Sequence, residues 1–425
     1  MTDRQSLPRR IGVVGSGLLS FNGIVGASIF ALPAVLLADW GSFSPFMFLI
    51  VGVAALLVII PFANSAAAFP ESGGPATYGL VYGRFAAFEL GWIFYVARVA
   101  GFGANTNVLV DYVGRWWSGI AEGLGRAAFI IAIWGAFAVI NILGIKRAIR
   151  VLGGFTLLKT LPLIIVAAAA LILLGPPPSP TAPTSIDRFE AGFLIIFYAF
   201  VGFENAVLPA GETRNPRLSL PRAILATTLL TAALYFLVQL AFVTAFAEAP
   251  AGSAPLVDLG EVVAGPIGAV VLTLAAICSL LGNLLAGTAA TPRITYAMGE
   301  RGDLPRWFAA VNAKLASPAN SIVFLTVIVT ALAITGSFIW LAVVSTLARM
   351  IIYVATIAAL PLAENRPKLT ALHWLGGTAG IAICLWGASQ AGQKAWITLA
   401  ALAAAGLLLY LAALLSASPK ESLGD

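Results

Sequence analysis

The chain is a succession of long apolar runs separated by short polar or Pro/Gly-rich breaks. Nowhere do apolar and polar residues alternate in the roughly ten-residue segments of a membrane barrel strand. A helix crossing the hydrocarbon core needs roughly 20 apolar residues. On that scale the pattern predicts twelve helical spans, at residues 11–37, 43–67, 86–110, 127–145, 151–175, 190–209, 222–246, 262–295, 320–335, 338–362, 372–389 and 395–416. The thinnest boundary separates the ninth and tenth spans, where Thr335, Gly336 and Ser337 interrupt the apolar run. The predicted class is an all-α integral membrane protein of twelve transmembrane helices.

Two spans carry glycine and polar clusters near their middles. The first reads GVVGSGLLSFNGIVGASIFALPA, with Asn22-Gly23 and Gly26-Ala27-Ser28; the sixth reads FLIIFYAFVGFENAVLPAGE, with Gly202-Phe203-Glu204-Asn205. Interrupted helices are tolerated in a membrane where they line a cavity, and glycines also serve close helix packing. Spans 1 and 6 are offset by five, the spacing expected of an inverted repeat of spans 1–5 and 6–10 with two helices appended. The expected organisation is a cytoplasmic N-terminus (1–10), a first repeat (11–175), a second repeat (176–362), a terminal helix pair (363–416) and a cytoplasmic tail (417–425). A broken helix frees N–H groups at the start of its second half and carbonyls at the end of its first. The former attract a carboxylate and the latter an ammonium group, so two facing breaks can hold a zwitterion.

Composition narrows the class further. Of 425 residues 60% are hydrophobic and 10% charged, and the mean hydropathy is +0.97, against about 25% charged residues in soluble domains. A secreted enzyme, a nucleic-acid-binding module and a disulfide scaffold are thereby excluded. Cys278 and Cys384 lie inside apolar runs and read as packing residues, and the single histidine, His373, sits at a span edge, which argues against a haem or His-based metal centre. No cofactor is expected. The opening MTDRQSLPRR resembles the basic region of a signal peptide, but the apolar run continues to about Leu37 with no small-residue cleavage site, so it reads as a retained first helix. With the N-terminus placed in the cytoplasm, 17 of the 24 Lys and Arg residues fall in inside segments. Four (Arg115, Arg126, Arg188, Lys394) lie outside and three (Arg98, Lys159, Arg349) lie within spans. That bias predicts a multi-pass protein of the inner (plasma) membrane with both termini cytoplasmic.

Four pieces of sequence carry a family resemblance: Gly26-Ala27-Ser28-Ile29-Phe30-Ala31-Leu32-Pro33; Pro70-Glu71-Ser72-Gly73-Gly74-Pro75-Ala76-Thr77-Tyr78; Phe200-Val201-Gly202-Phe203-Glu204 with Gly211-Glu212-Thr213-Arg214-Asn215-Pro216 and Leu220-Pro221-Arg222; and Arg293-Ile294-Thr295-Tyr296-Ala297-Met298 with Gly302-Asp303-Leu304-Pro305. In this order the chain resembles the amino acid–polyamine–organocation transporters over roughly residues 11–362. The resemblance implies the LeuT-like fold, a 5+5 inverted repeat with broken helices 1 and 6. The family usually has glycine where this chain has Ser28. That hydroxyl would either crowd a bound carboxylate or donate to it, and the second option suits a small substrate.

The resemblance also implies a site. Backbone N–H groups of Gly26, Ala27 and Ser28 would meet the substrate carboxylate, and carbonyls near Ile24, Tyr198 and Val201 its amino end. Phe203, Tyr198 and span 3 around Gly101 and Asn105 would select the side chain, with Tyr198 also gating from outside; an aromatic there also serves plain packing. An ionisable group inside a span costs about 2.5–3.5 kcal/mol on insertion scales, so each needs a reason. Lys159 matches the position where some sodium-independent members place a lysine in lieu of a sodium ion between spans 1 and 8. Its ammonium would hold the bundle together and release its proton as the bundle opens, the alternative being a lysine that snorkels to the cytoplasmic face. Glu204 would join the span-6 break to its neighbours and take part in proton movement, or serve as a structural acceptor. Arg98 needs an anionic partner or water, and by depth Glu204 is the candidate. Glu89 and Arg349 read as interfacial, and Asn283 is unassigned.

The expected function is secondary active transport of a neutral, small or hydrophobic, L-amino acid by alternating access, coupled to protons and independent of sodium, as symporter or antiporter. The interior cations disfavour an arginine or polyamine substrate. An exchanger or exporter and an amine transporter of the same fold are the alternatives. An enzyme is not expected, because no cluster of His, Asp or Glu marks a membrane face. The partners are the substrate, protons and the bilayer, not nucleic acid, and the protein is a monomer or homodimer.

Overall fold

The computed structural model describes residues 11–69, 74–143, 148–181, 187–207, 213–246, 252, 254–311, 317–364 and 366–416. Its helices are α1 (Val13–Ile24), α2 (Ser28–Trp40), α3 (Ser44–Ala68), α4 (Pro75–Tyr78), α5 (Arg84–Gly114), α6 (Gly123–Leu143), α7 (Ala148–Leu173), α8 (Asp187–Tyr198), α9 (Pro216–Phe246), α10 (Pro255–Ala290), α11 (Pro292–Glu300), α12 (Ala319–Thr335), α13 (Phe338–Ala359), α14 (Ala371–Ser389) and α15 (Gln393–Ser416). Among the described residues, nine helical stretches are long and apolar enough to cross a membrane. One of them, Ser28–Ala68, is interrupted at Gly41 (φ +51°), which parts α2 from α3. Three shorter apolar helices, Val13–Ile24, Gly192–Ala206 and Ala319–Thr335, fall in the predicted spans 1, 6 and 9.

The predicted runs map onto these helices with small offsets. The thin boundary at Thr335–Ser337 is where α12 stops and α13 begins, and the Ser337 hydroxyl accepts a hydrogen bond from Trp340 N at the new N-terminus. The run beginning near residue 262 extends back to Pro255, but Ala264 and Gly265 leave helical geometry, with Gly265 at φ +59° ahead of Pro266. Thr370 caps α14, and His373 completes the capping box, its Nδ1 accepting from Thr370 N (3.2 Å). Cys384 is buried and Cys278 partly so, both as free thiols.

α5 forms the centre of the bundle, buried from Ala87 to Val110 apart from Glu89 and Ile93. Its small residues, Ala97, Ala100, Gly101, Gly103 and Ala104, let α13 lie close. A Cβ at Gly101 would come 3.2 Å from Ser345 Oγ, and one at Gly103 would come 3.0 Å from Leu341 Cδ1. Without a water-driven force between helices in lipid, such small-residue contact is what brings them together. The broadest interfaces are α3 with α9, α5 with α13 and α7 with α10. On the periphery Leu124, Ile172 and Leu415 are 90%, 79% and 88% exposed, the apolar outer face expected of a protein surrounded by hydrocarbon rather than water. α15 is fastened to the centre by Trp92, whose indole N–H donates to the Leu402 carbonyl (2.8 Å) across the face left open by Gly406. Near the start of α1, Ile11 pairs with Thr213 in a parallel backbone bridge, and Arg214 N donates to Ile11 O (2.8 Å).

Candidate functional site

The first break is three residues long. α1 ends at Ile24, Val25 turns out of helical geometry (φ −77°, ψ 89°), and α2 restarts at Ser28. The two sides of this break are satisfied differently. Three carbonyls of its N-terminal side accept hydrogen bonds from side chains of three different helices. Asn283 Nδ2 on α10 donates to Asn22 O (3.2 Å), Tyr235 Oη on α9 to Ile24 O (3.1 Å), and Lys159 Nζ on α7 to Val25 O (2.7 Å). On the other side, the N–H groups of Gly26, Ala27 and Ser28 meet no acceptor among the described residues. Consecutive N–H groups at a helix start form an anion-binding concavity.

The second break faces the first. α8 ends at Tyr198; Gly202 adopts φ +114°, and a short 3₁₀ turn, Phe203–Ala206, follows. The two breaks touch through their backbones. A Cβ at Gly202 would collide with Gly23 O, and a Cβ at Gly23 would collide with Gly202 O and Asn205 Nδ2. Glycine is therefore required at both positions by close approach, and at Gly202 also by the left-handed φ.

Above Gly26 lie two asparagines. A Cβ at Gly26 would come 3.6 Å from Asn283 Nδ2 and 3.7 Å from Asn105 Nδ2. Asn105 Nδ2 donates to Asn283 Oδ1 (2.9 Å), and Tyr198 Oη donates to Asn105 Oδ1 (3.1 Å), with Gly101 O at 3.4 Å. The Tyr198 ring stands edge-on to Phe338. Thus Tyr198, Gly101, Asn105, Asn283 and the first break form one continuous group. Phe203 points elsewhere, its ring packed against Phe62 and Tyr353. The Ser28 hydroxyl lies 3.3 Å from Tyr235 Oη, so its side chain is engaged by span 7 and its backbone N–H is what the break presents. Ile24 O is taken by Tyr235, and Tyr198 O accepts from Val201 N (3.2 Å).

Glu204 is 1% exposed, and its partner is Arg349, not Arg98. Arg349 Nε donates to Glu204 Oε1 (2.6 Å), while Glu204 Oε2 accepts from Gly202 N (2.9 Å) and lies 3.4 Å from Tyr353 Oη. Arg349 also donates to Ala97 O (3.0 Å) and to Ser345. This corrects the expectation of an interfacial Arg349: it stands midway along α13, 6% exposed. Arg98 donates from Nε to Thr291 Oγ1 (2.8 Å) and from Nη1 to Asn205 Oδ1 (3.0 Å). Lys159, 2% exposed, is directed at the break and does not snorkel. Glu89 is half-buried, in keeping with an interfacial place.

Tyr235 is a member of this group that sequence reasoning missed. The signal was present: Thr227, Thr231, Tyr235 and Gln239 recur every fourth residue in an otherwise apolar run, one face of a helix. That face meets span 1, through Thr227 to Ser20 (2.8 Å) and Gln239 Nε2 to Pro33 O (3.1 Å) as well as through Tyr235. Of the sequence motifs, Pro70–Gly73 and Gly211–Glu212 lie outside the described residues. Asp303 of the fourth motif accepts from Arg84 Nε (2.8 Å) and Arg301 Nε (2.9 Å), tying the loop after α11 to the start of α5.

Comparison with known proteins gives a consistent result. The family model described as amino acid permease matches residues 11–424. An uncharacterized transporter of Mycobacterium tuberculosis is 28% identical over 379 residues, 85% of this chain and 82% of that protein. The serine/threonine exchanger SteT of Bacillus subtilis is 27% identical over 326 residues, 72% of this chain and 71% of the exchanger. A D-serine/D-alanine/glycine transporter of Escherichia coli is 23% identical over 339 residues, 75% of this chain and 71% of that transporter.

Proposed function

Because the chain belongs to the amino acid permease family, we propose that it moves a small neutral amino acid through the membrane by alternating access, using the break of span 1 as its binding site. It is a multi-pass membrane protein. In this reading the substrate carboxylate takes the N–H groups of Gly26, Ala27 and Ser28. The amino group takes Val201 O and the second lone pair of Ile24 O, since a carbonyl accepts two hydrogen bonds. Tyr198 covers the site from outside. The observation that carries the reading is the unequal satisfaction of the span-1 break, with its carbonyls met by three side chains and its N–H groups by none among the described residues. The small neutral class is supported by the close packing of Asn105 and Asn283 over Gly26, and by the serine, threonine, alanine and glycine named for two of the relatives.

The helix pairing supports twelve spans in a 5+5 inverted repeat with two appended. Exchanging spans 1–5 with 6–10 carries the broad α5–α13 interface (spans 3 and 10) onto the α7–α10 interface (spans 8 and 5), which is also among the three broadest. The α3–α9 interface (spans 2 and 7) maps onto itself. The cations obey the same exchange: Lys159 of span 5 holds the break of span 1, and Arg349 of span 10 holds the break of span 6. The excess of Lys and Arg on alternate loops supports cytoplasmic termini in the inner membrane.

A thermal-unfolding screen of the purified protein against the twenty amino acids tests the substrate class. A ligand at 100 times its Kd stabilises by about 2.7 kcal/mol, so serine, threonine, alanine or glycine is expected to raise Tm measurably. Amines lacking a carboxylate are expected to give no shift, and an equal shift from them would remove the carboxylate contact. Lys159 is proposed to couple transport to protons. Lys159→Ala should cut uptake at least about tenfold, the effect of losing one charge-assisted hydrogen bond in the core, and flatten its dependence on an imposed pH gradient. An unchanged pH dependence in that variant would take Lys159 out of the coupling role. Tyr198→Phe loses a hydroxyl that joins the cover to Asn105 and should raise the external KM about five- to tenfold, for a hydrogen bond of about 1 kcal/mol, with little change in Tm.

A further inference from the structure

Three ionised side chains meet around the second break: Glu204, Arg349 and Arg98. They comprise two guanidiniums and one carboxylate. Arg349 is paired with a carboxylate: its Nε donates to Glu204 Oε1 (2.6 Å), and its Nη1 donates to Ala97 O (3.0 Å) and Ser345. Arg98 is 6% exposed, yet its two hydrogen bonds go to uncharged oxygens, Thr291 Oγ1 and Asn205 Oδ1. Among the described residues no carboxylate is within ion-pair distance of it; the charge of Glu204 acts on it only from beyond hydrogen-bond reach, and the close partner of Glu204 is Arg349. Phe94 and Phe102 flank the guanidinium, 5.7 and 5.6 Å from its centre. A guanidinium held out of water without an anion is costly, and a carboxylate beside it makes two parallel charge-assisted hydrogen bonds.

The place of Arg98 says when that anion arrives. On α5, Arg98 lies about one turn from Gly101 toward Arg84, the end that the charge bias puts in the cytoplasm. Thr291, the residue just past α10, lies eight residues beyond Asn283, and Asn205 lies seven beyond Tyr198 on span 6. Both are displaced from the first break in the same direction. Arg98 thus spans the cytoplasmic side of the site, tying the segment after the second break to the end of α10. If that segment swings away to open the route inward, the Nη1 donor of Arg98 that Asn205 now holds is released.

We infer that Arg98 is a second carboxylate-binding position, which takes the substrate's carboxylate as it passes between the span-1 break and the cytoplasm. This rests on the amino acid transport reading above. The planar fork of arginine suits a carboxylate, and a lysine point charge does not replace it.

The test compares the two faces of the membrane. Uptake of the best amino acid from the thermal screen is measured in right-side-out and inside-out vesicles bearing the full chain, for the natural protein, Arg98→Gln and Arg98→Lys. Arg98→Gln should raise the KM at the cytoplasmic face about tenfold, as expected for a lost charge-assisted pair, and leave the external KM within about twofold. Arg98→Lys should shift the cytoplasmic KM about threefold, and this serves if the glutamine variant does not fold. Equal shifts on both faces, or none, would overturn the assignment. So would a cytoplasmic KM that depends on chloride when gluconate replaces it, since the anion would then be free in solution. Vesicles of the natural protein that take up no amino acid from either face would remove the transport reading and this inference with it.

Discussion

Gly202→Ala is expected to abolish transport, with uptake reduced more than about 100-fold, and to lower the stability of the folded protein by roughly 3 kcal/mol or more. Two effects add. The φ of +114° at Gly202 costs an L-residue of order 1–3 kcal/mol. The new methyl would also occupy the space of Gly23 O and Ile24 N, in a core too densely packed to give way cheaply. The only relief is to push the two breaks apart, which dismantles the group formed by Tyr198, Asn105 and the first break. Gly23→Ala should act in the same sense, because its methyl meets Gly202 O. Gly135→Ala in α6 is the control: a Cβ there meets nothing within 4 Å, and a helical Gly→Ala change is neutral or stabilising by about 0.5–1 kcal/mol. Uptake and thermal unfolding of the three variants decide the point. Similar behaviour of Gly202→Ala and Gly135→Ala would show that the contact between the breaks is not needed.

The second large effect concerns the buried pair. Glu204→Gln or Arg349→Met should each destabilise by about 3–5 kcal/mol, the usual consequence of stranding one charge of a buried ion pair. Joining both substitutions should recover most of that loss, because no stranded partner remains. A coupling of more than about 1 kcal/mol in the double-mutant cycle is expected for side chains in direct contact. Transport should not return with stability. Arg349 also holds Ala97 O, and Glu204 also accepts from Gly202 N, so the pair fixes spans 3, 6 and 10 against one another. Additive losses would mean that the two side chains act independently and that the pair does not hold span 6.

The positions of the helices and of both interruptions were legible in the sequence. Long apolar runs mark the helices, and two polar glycine clusters five spans apart mark the breaks; a single such pair would not, since Gly282-Asn283 sits in the continuous part of α10. Residue chemistry showed only that Lys159 needs a partner; the family resemblance placed it beside span 1, where its Nζ donates to Val25 O. The partner of Glu204 was not legible. Arg349 was read as interfacial, which left Arg98 as the candidate by depth; the structure buries Arg349 midway along α13, packed closely on α5 at Gly101 and Gly103, and there it meets Glu204. The role of Phe203 was equally hidden. A residue in a turn has no fixed face, and the ring went to Phe62 and Tyr353. Tyr235 carried a readable four-residue period, but hydroxyls in a span bond just as well to their own helix, as Thr228 does to Ile224 O (2.8 Å).

The short backbone bridge between Ile11 and Thr213 has a mechanical consequence. The residues leading into α1 and into α9 share this staple, so those two helix starts cannot separate while it is closed. A rocking motion that parts them would first have to undo the hydrogen bond from Arg214 N to Ile11 O. The starts of α1 and α9 therefore travel as a yoked pair whenever that staple is closed, and its opening is the step at which their movements become separable.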